Sequence, residues 1–332
     1  MSIFTNTIGI DVSKDKLDAH DYKLNKHHIF YNNKEGYKKL LAWIKTNHKQ
    51  ELATLLCCFE HTGIYSFGLC VLMEENKLAY KVLPGLEIKR PIGMTRGKND
   101  QIDAFKIAQY AYYRRDGLNP SKLPAAGLLE LKDLLSLRER MVKQRSGYRA
   151  HLKELTRFSN RENNKLLFES QERMIKELCK EIKLVEKEME QVTKENPAIQ
   201  AQYKLARTVK GIELILGVSL LVYSDNFSNF KTWREFASYV GIAPFDYESG
   251  SSIKRSKQVS HMANKRLKAL LSNAAMSCIV HSPEMRVYYE KRVKEGKNKM
   301  LVQNIIRNKI LSRVFAVIKR RTPYVNTLSY AA

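Results

Sequence analysis

The pattern of apolar and polar positions divides the chain into an α/β front section and a longer, largely helical remainder. From residue 7 to residue 30, β-branched and aromatic residues recur with period two and predict strands. In the first, Ile8, Ile10 and Val12 point to one face and Thr7, Gly9 and Asp11 to the other. Gly9, having no side chain, leaves room for a ligand beside Asp11. Leu40 to Asn47 predicts a helix. Leu55 to Phe59 is an unbroken apolar run, as a strand covered on both faces requires, and it ends on Glu60. HTGIYSFGLCVLMEE predicts a turn and an amphipathic helix, and Tyr80 to Leu83 a short strand closed by Pro84 and Gly85. A helix starting near Asn99, a residue that caps helices by accepting free backbone N–H groups, carries Ala104, Ile107, Ala108 and Ala111 as its apolar stripe. Asp100 and Asp103 fall on the same stripe and so turn inward.

From Ala125 to Ala206 the chain is charged and nearly free of Gly and Pro, with apolar residues such as Leu128, Leu131, Leu135, Ile182, Val185 and Met189 at helical spacing. This predicts long amphipathic helices, paired either as a hairpin or by self-association. Thr208 to Gly211 turns into an apolar helix running to about Ser224. Thr232 with Glu235 forms a capping box for a helix ended by Gly241. Ser249 to Ser252 reads as a flexible loop flanked by Lys254, Arg255 and Lys257. A further helix buries Leu267, Leu270, Leu271, Ala274 and Cys278, and basic helices follow from 284 to 321. The expected domains are 1–118, an α/β domain, 119–205, a coiled-coil-like helical segment, and 206–332, a mainly helical domain.

The 58 Lys and Arg against 34 Asp and Glu leave a formal charge of +24, which points to a polyanionic partner, nucleic acid before anionic membrane. Arg138, Arg140, Lys143, Arg145 and Arg149 give the middle segment a basic face able to follow a phosphate backbone. Lys98, Lys254, Arg255, Lys257, Lys265 and Arg266 are the other candidate nucleic-acid contacts. The longest apolar stretch, Ile212 to Tyr223, is interrupted by Glu213 and falls short of the ~20 residues that span a bilayer. With no secretory signal pattern and five cysteines that form no CxxC pair, the expected setting is cytoplasmic, with no zinc site.

Four acids, Asp11, Glu60, Asp100 and Asp103, come from a strand, a strand end and one helix. Singly each reads as a surface or capping acid; together they match what two hard divalent ions ~3.5–4 Å apart need, oxygen-only ligands on rigid elements. A serine beside Gly in a basic loop, as at Ser249-Gly250, can approach a phosphate closely, and neighbouring cations favour its alkoxide. A sugar-kinase-like phosphate site would also follow a Gly-Ile-Asp strand, but the second Asp-Gly phosphate loop and the adenosine-binding Gly pair it needs do not occur.

IGIDVSKDKLDAH (8–20), FEHTGIYS (59–66) and KNDQIDAFKIA (98–108) resemble the Asp-Glu-Asp-Asp, RuvC-like domain of insertion-sequence transposases of the 110 group, relatives of the Piv-type DNA invertase. The stretch from Gly241 to Leu271 resembles that family's serine-bearing domain, although Gly211 lacks the second Gly of the family's preceding turn and Ala263 replaces a Gly. The resemblance implies an RNase H/RuvC-like mixed sheet and metal ligands at Asp11, Glu60, Asp100 and Asp103. It implies two Mg²⁺ or Mn²⁺ ions and a nucleophile at Ser249, with Ser251 and Ser252 as stand-ins. It also implies donor and target DNA, a structured guide RNA, and a homodimer or homotetramer in which one protomer's acids meet another's serine. The rival readings are a metal-dependent junction nuclease that uses water, and a non-catalytic nucleic-acid-binding protein.

Overall fold

The computed structural model describes residues 4–49, 51–85, 87–88, 100–249, 253–259 and 263–325, with the side chains of 246–249 and 253–258 excepted. The chain forms two compact units, Met1–Leu123 and Pro124–Ala332.

The first unit is built on a five-stranded mixed sheet of order β3-β2-β1-β4-β5. β1 (Asn6–Val12), β4 (Leu55–Glu60) and β5 (Ala79–Leu83) run parallel, and β2 (Lys16–Asp21) and β3 (Lys26–Tyr31) add an antiparallel edge. Alternation sorts the two faces. Ile8, Ile10, Leu17, Cys57 and Phe59 pack with Leu40 and Ile44 of α1 (Lys34–Asn47) and with Leu69 and Met73 of α2 (Phe67–Glu75). Each such side chain contributes roughly 1.5–3 kcal/mol on full burial. Leu56, Cys58 and Leu83 face the other way, toward Ile107, Tyr110 and Ala111 of α3 (Asp100–Arg114). α1 begins six residues before the expected Leu40, because Asn33 accepts from the Gly36 N–H and starts the helix through a polar turn that has no apolar rhythm.

α3 lies unusually close to β1. A Cβ on Gly9 would sit 2.2 Å from the Ala108 nitrogen and 2.3 Å from the Ala104 oxygen. Beside it, Thr7 Oγ1 donates to the Ala108 carbonyl at 2.8 Å. Gly9 therefore leaves no room for a ligand. The space read into its missing side chain is filled by helix backbone.

In the second unit, α4 (Ala126–Phe158) and α5 (Lys165–Glu195) form a helical hairpin. Leu128, Leu131 and Leu135 pack with Val185, Met189 and Val192. Arg138 pairs with Glu186 at 2.7 Å across the hairpin and Lys143 with Glu139 at 3.4 Å, so part of the expected basic face is neutralised within the chain. α6 (Pro197–Arg207), α7 (Leu214–Ser224), α8 (Trp233–Val240), α9 (Lys265–His281), α10 (Pro283–Lys294) and α11 (Lys299–Arg320) complete the unit. Its core gathers Leu220, Phe236, Leu267, Leu271, Ile306, Ile310 and Val314. Thr232 accepts from the Glu235 N–H to cap α8, and Gly241 ends it with φ 77°.

Of the loop expected at Ser249 to Ser252, Gly250, Ser251 and Ser252 lie outside the described residues, while Ser249 and the basic flank 254–257 stand in strands. β6 (Pro244–Ser249) pairs antiparallel with β7 (Ile253–Val259), with an irregularity between Phe245 and Tyr247. In sequence the short Phe245/Tyr247 alternation is outweighed by the Ser-Gly-Ser-Ser run and the Lys and Arg residues that follow it. Among the described residues no helix is long and apolar enough to cross a membrane.

Replacing Gly9 with Ala forces backbone apart and is expected to cost about 3 kcal/mol or more, read as a lowered urea midpoint. Gly147→Ala, in α4 with nothing within 4 Å of the added Cβ, is expected to raise stability by about 0.5–1 kcal/mol.

Candidate functional site

Asp11 and Glu60 occupy adjacent places at the carboxyl ends of neighbouring parallel strands, one step beyond the Ile10↔Phe59 pair. Alternation from Gly9 and Cys58 directs both toward the face that α3 covers. This end of an open α/β sheet is where ligands are received, because the following loops and helix starts converge there. α3, held against β1 at Thr7 and Gly9, brings its first turn with Asp100 and Asp103 over the same end.

The stripe Ala104, Ile107, Ala108 and Ala111 is buried as expected, but its two acids are not. Asp100 is exposed, and the Asp103 side chain is 37% exposed with Lys106 Nζ at 3.6 Å. Both stand in the first turn of α3, before Ala104, where the burial of the stripe begins. That suits carboxylates and leaves them reachable.

Electrostatics link the group. The Asp11 carboxyl is pushed up to about 6, first by burial, then by the charges of Asp100, Asp103, Asp18 and Glu60. The four expected acids thus share one neighbourhood, and a fifth, Asp18, belongs to it. Asp18 is the ladder partner of Asp11 on β2, is buried, and is bonded to His27 Nε2 at 3.0 Å. Its signal was present in the alternation of KLDAH, where Asp18 falls on the face opposite Leu17 and Ala19. Gly85 was also overlooked: a Cβ there would lie 2.0 Å from Glu60 Oε1, so its bare backbone gives the Glu60 carboxylate its seat. Pro84-Gly85 reads in sequence only as a turn.

Oxygen-only donors with a repulsion to relieve are the chemistry that a hard divalent cation fits. Among the described residues, however, no group of three His, Cys, Asp or Glu side chains is drawn together closely enough to hold a metal ion. The carboxylates are near enough to raise Asp11 but, among the described residues, are not gathered into a closed cage.

Lys98 and Asn99 lie outside the described residues, as do Gly250, Ser251 and Ser252. Ser249 is the last residue of β6, opposite Ile253, and Lys254, Arg255 and Lys257 lie along β7. In α9, Lys265 is exposed. Arg266 is already engaged: it pairs with Glu139 at 2.9 Å and donates to the Leu135 carbonyl at 2.6 Å, so a phosphate would have to compete for it.

Grouped carboxylates at the open end of a mixed sheet, in a chain with a strongly basic helical unit, mark a DNA-processing enzyme of the transposase and recombinase class. The comparisons narrow this. The Transposase IS116/IS110/IS902 family matches residues 203–290, and the Asp-Glu-Asp-Asp transposase domain of the IS110 group matches residues 8–158. The chain belongs to this IS110 family of insertion-sequence transposases. It is 26% identical over 325 residues to the pilin gene-inverting protein of Moraxella bovis, covering 96% of this chain and 97% of that protein. The pilin gene-inverting protein of Moraxella lacunata matches to the same extent. A 43.6 kDa protein of insertion element IS110 from Streptomyces coelicolor is 27% identical over 117 residues, 35% of this chain and 29% of that protein.

A carboxyl whose folded value, about 6, lies above its ordinary 3.8 destabilises the fold once ionised. The penalty is absent below about pH 4 and fully felt above about pH 6. In chelator-treated protein Asp11→Asn is therefore expected to raise stability at pH 7.5 by about 1 kcal/mol after solvent screening, and to change nothing at pH 3.5, as followed by thermal melts.

Proposed function

We propose that the chain cuts and exchanges DNA strands through a serine nucleophile in its second unit and a divalent-metal site in its first. The observation that supports this best is Asp11, a carboxyl raised first by burial and then by the charges of four neighbouring carboxylates. Asp11, Glu60, Asp100 and Asp103 would hold Mg²⁺ or Mn²⁺, with Asp18 orienting Asp11 from the adjacent strand. Bound there, the metal supplies charge to polarise a phosphate and to steady a leaving 3′ oxygen. Ser249 attacks a DNA phosphorus; the P–O bond to the 3′ oxygen breaks, and the strand is left joined to the serine as a phosphodiester. Attack on that link by the 3′ hydroxyl of another strand restores a DNA phosphodiester and frees the serine.

The mixed sheet with an acid-bearing helix on one face supports a RuvC-like assignment. On this reading the functional division is 1–118, 119–205 and 206–332, the last presenting Ser249 with Lys254, Arg255, Lys257 and Lys265 toward phosphates. The pilin gene-inverting relatives, matched along nearly their whole length, support inversion or transposition of DNA rather than simple hydrolysis. A structured guide RNA, and an assembly of two or four copies whose acids and serines meet between protomers, complete the proposal. The charge of +24 suits RNA and DNA alike.

Ser249→Ala is expected to abolish strand exchange and the covalent protein–DNA adduct visible on a denaturing gel, while Asp11→Asn lowers Mg²⁺-dependent cleavage by at least a hundredfold. Cleavage retained by Ser249→Ala without any adduct would instead establish a water-using nuclease.

A further inference from the structure

The outer side of α3 carries a cluster of aromatic residues, one of them largely exposed. The apolar stripe of that helix is already buried against the sheet, yet Tyr112 and Tyr113 stand off it and meet Tyr22 from the turn after β2. Tyr22 and Tyr112 have ring centroids 4.5 Å apart; Tyr22 also stacks on Phe105 at 6.1 Å and meets Tyr113 edge-on at 6.1 Å. Tyr22 Oη donates to Tyr113 Oη at 3.2 Å, which fixes the two rings relative to one another, and Tyr113 is still 69% exposed. Tyr113 thereby keeps an aromatic face open to water beside rings that hold it in place.

Cations frame these rings. The Arg115 guanidinium lies 4.1 Å from the Tyr112 ring centroid and donates to the Tyr112 carbonyl, and Arg114 and Lys23 are exposed. Two copies of such a face would repel each other, which disfavours self-association. An anion with a flat apolar part meets both requirements, stacking on tyrosine while its charge meets the arginines. Paired bases keep their faces covered by their neighbours, so the matching group is an unpaired one. Ten residues of helix separate Asp103 from Tyr113, about 15 Å. That distance is within the reach of a few nucleotides of a strand whose phosphate lies at the acids.

We propose that Tyr22, Tyr112, Tyr113 and Arg115 form a stacking platform for an unpaired base of the DNA strand engaged at the carboxylates. The platform rests on the DNA-processing reading for its choice of strand, and it holds that strand apart from its complement close to the reacting phosphate.

The test uses the full-length protein in EDTA, where no strand is cut, and fluorescence anisotropy with three probes: a DNA duplex with an oligothymidylate arm, the same duplex with an abasic arm, and an oligouridylate RNA arm on the same duplex. Tyr113→Ala is expected to weaken binding to the thymidylate arm roughly tenfold, the loss of one base–aromatic stack. Tyr113→Trp restores it, and the two proteins bind the abasic arm equally. Equal loss on the abasic arm, no loss at all, loss confined to the RNA arm, or an altered sedimentation coefficient for Tyr113→Ala would each overturn the proposal. Because nothing is cleaved, failure of the phosphoryl-transfer reading leaves these outcomes unchanged and shows separately, as strand exchange that persists in Asp11→Asn.

Discussion

The approach of one helix to one strand governs the first unit. α3 can carry its acids over Asp11 only because β1 offers a surface with no side chain at Gly9 and a hydroxyl at Thr7 that takes up the Ala108 carbonyl. The contact sets the rotation of the helix as well as its distance, and rotation decides where Asp100 and Asp103 point. Glu60 is placed by a different means, the parallel pairing of β4 with β1, and receives its space from Gly85. Two glycines distant in sequence thus act on one cluster of charge.

That cluster opposes the fold that makes it. Burial, and then the neighbouring carboxylates, raise Asp11, whose ionisation weakens the unit above the acid range. The surrounding structure accepts this because the strain is local: Lys106 lies beside Asp103, His27 beside Asp18, and the strongly apolar side of the sheet lies on the opposite face. Whatever neutralises the cluster thereby also stabilises the protein, so occupancy and folding are linked.

Much of this was legible in the sequence. The strand carrying Asp11, the run ending on Glu60 and the α3 stripe all follow from periodicity, because those elements bury one face against a core. What escaped has physical reasons. The start of α1 depends on a single cap at Asn33, and the brief Phe245/Tyr247 alternation of β6 is outweighed by the Ser- and Gly-rich run and the basic residues after it. Glycine at position 9 is silent on which object approaches it, a ligand or a helix. The inward turn of Asp100 and Asp103 was inferred from an ideal stripe, whereas its burial begins only at Ala104. Asp18 was missed because strand alternation assigns a face without revealing which acid stands opposite in the ladder.

The β6–β7 ribbon differs mechanically from the sheet. Among the described residues its strands pair with each other alone, and a lone two-stranded ribbon is marginally stable in water. Its irregularity between Phe245 and Tyr247 adds a natural point of bending. The carboxylates stand on a five-stranded sheet and Ser249 at the end of a two-stranded ribbon. On the serine reading proposed above, the compliant arm is the one that absorbs differences between one DNA sequence and the next, and the stiff mount is the one that discriminates among phosphate geometries.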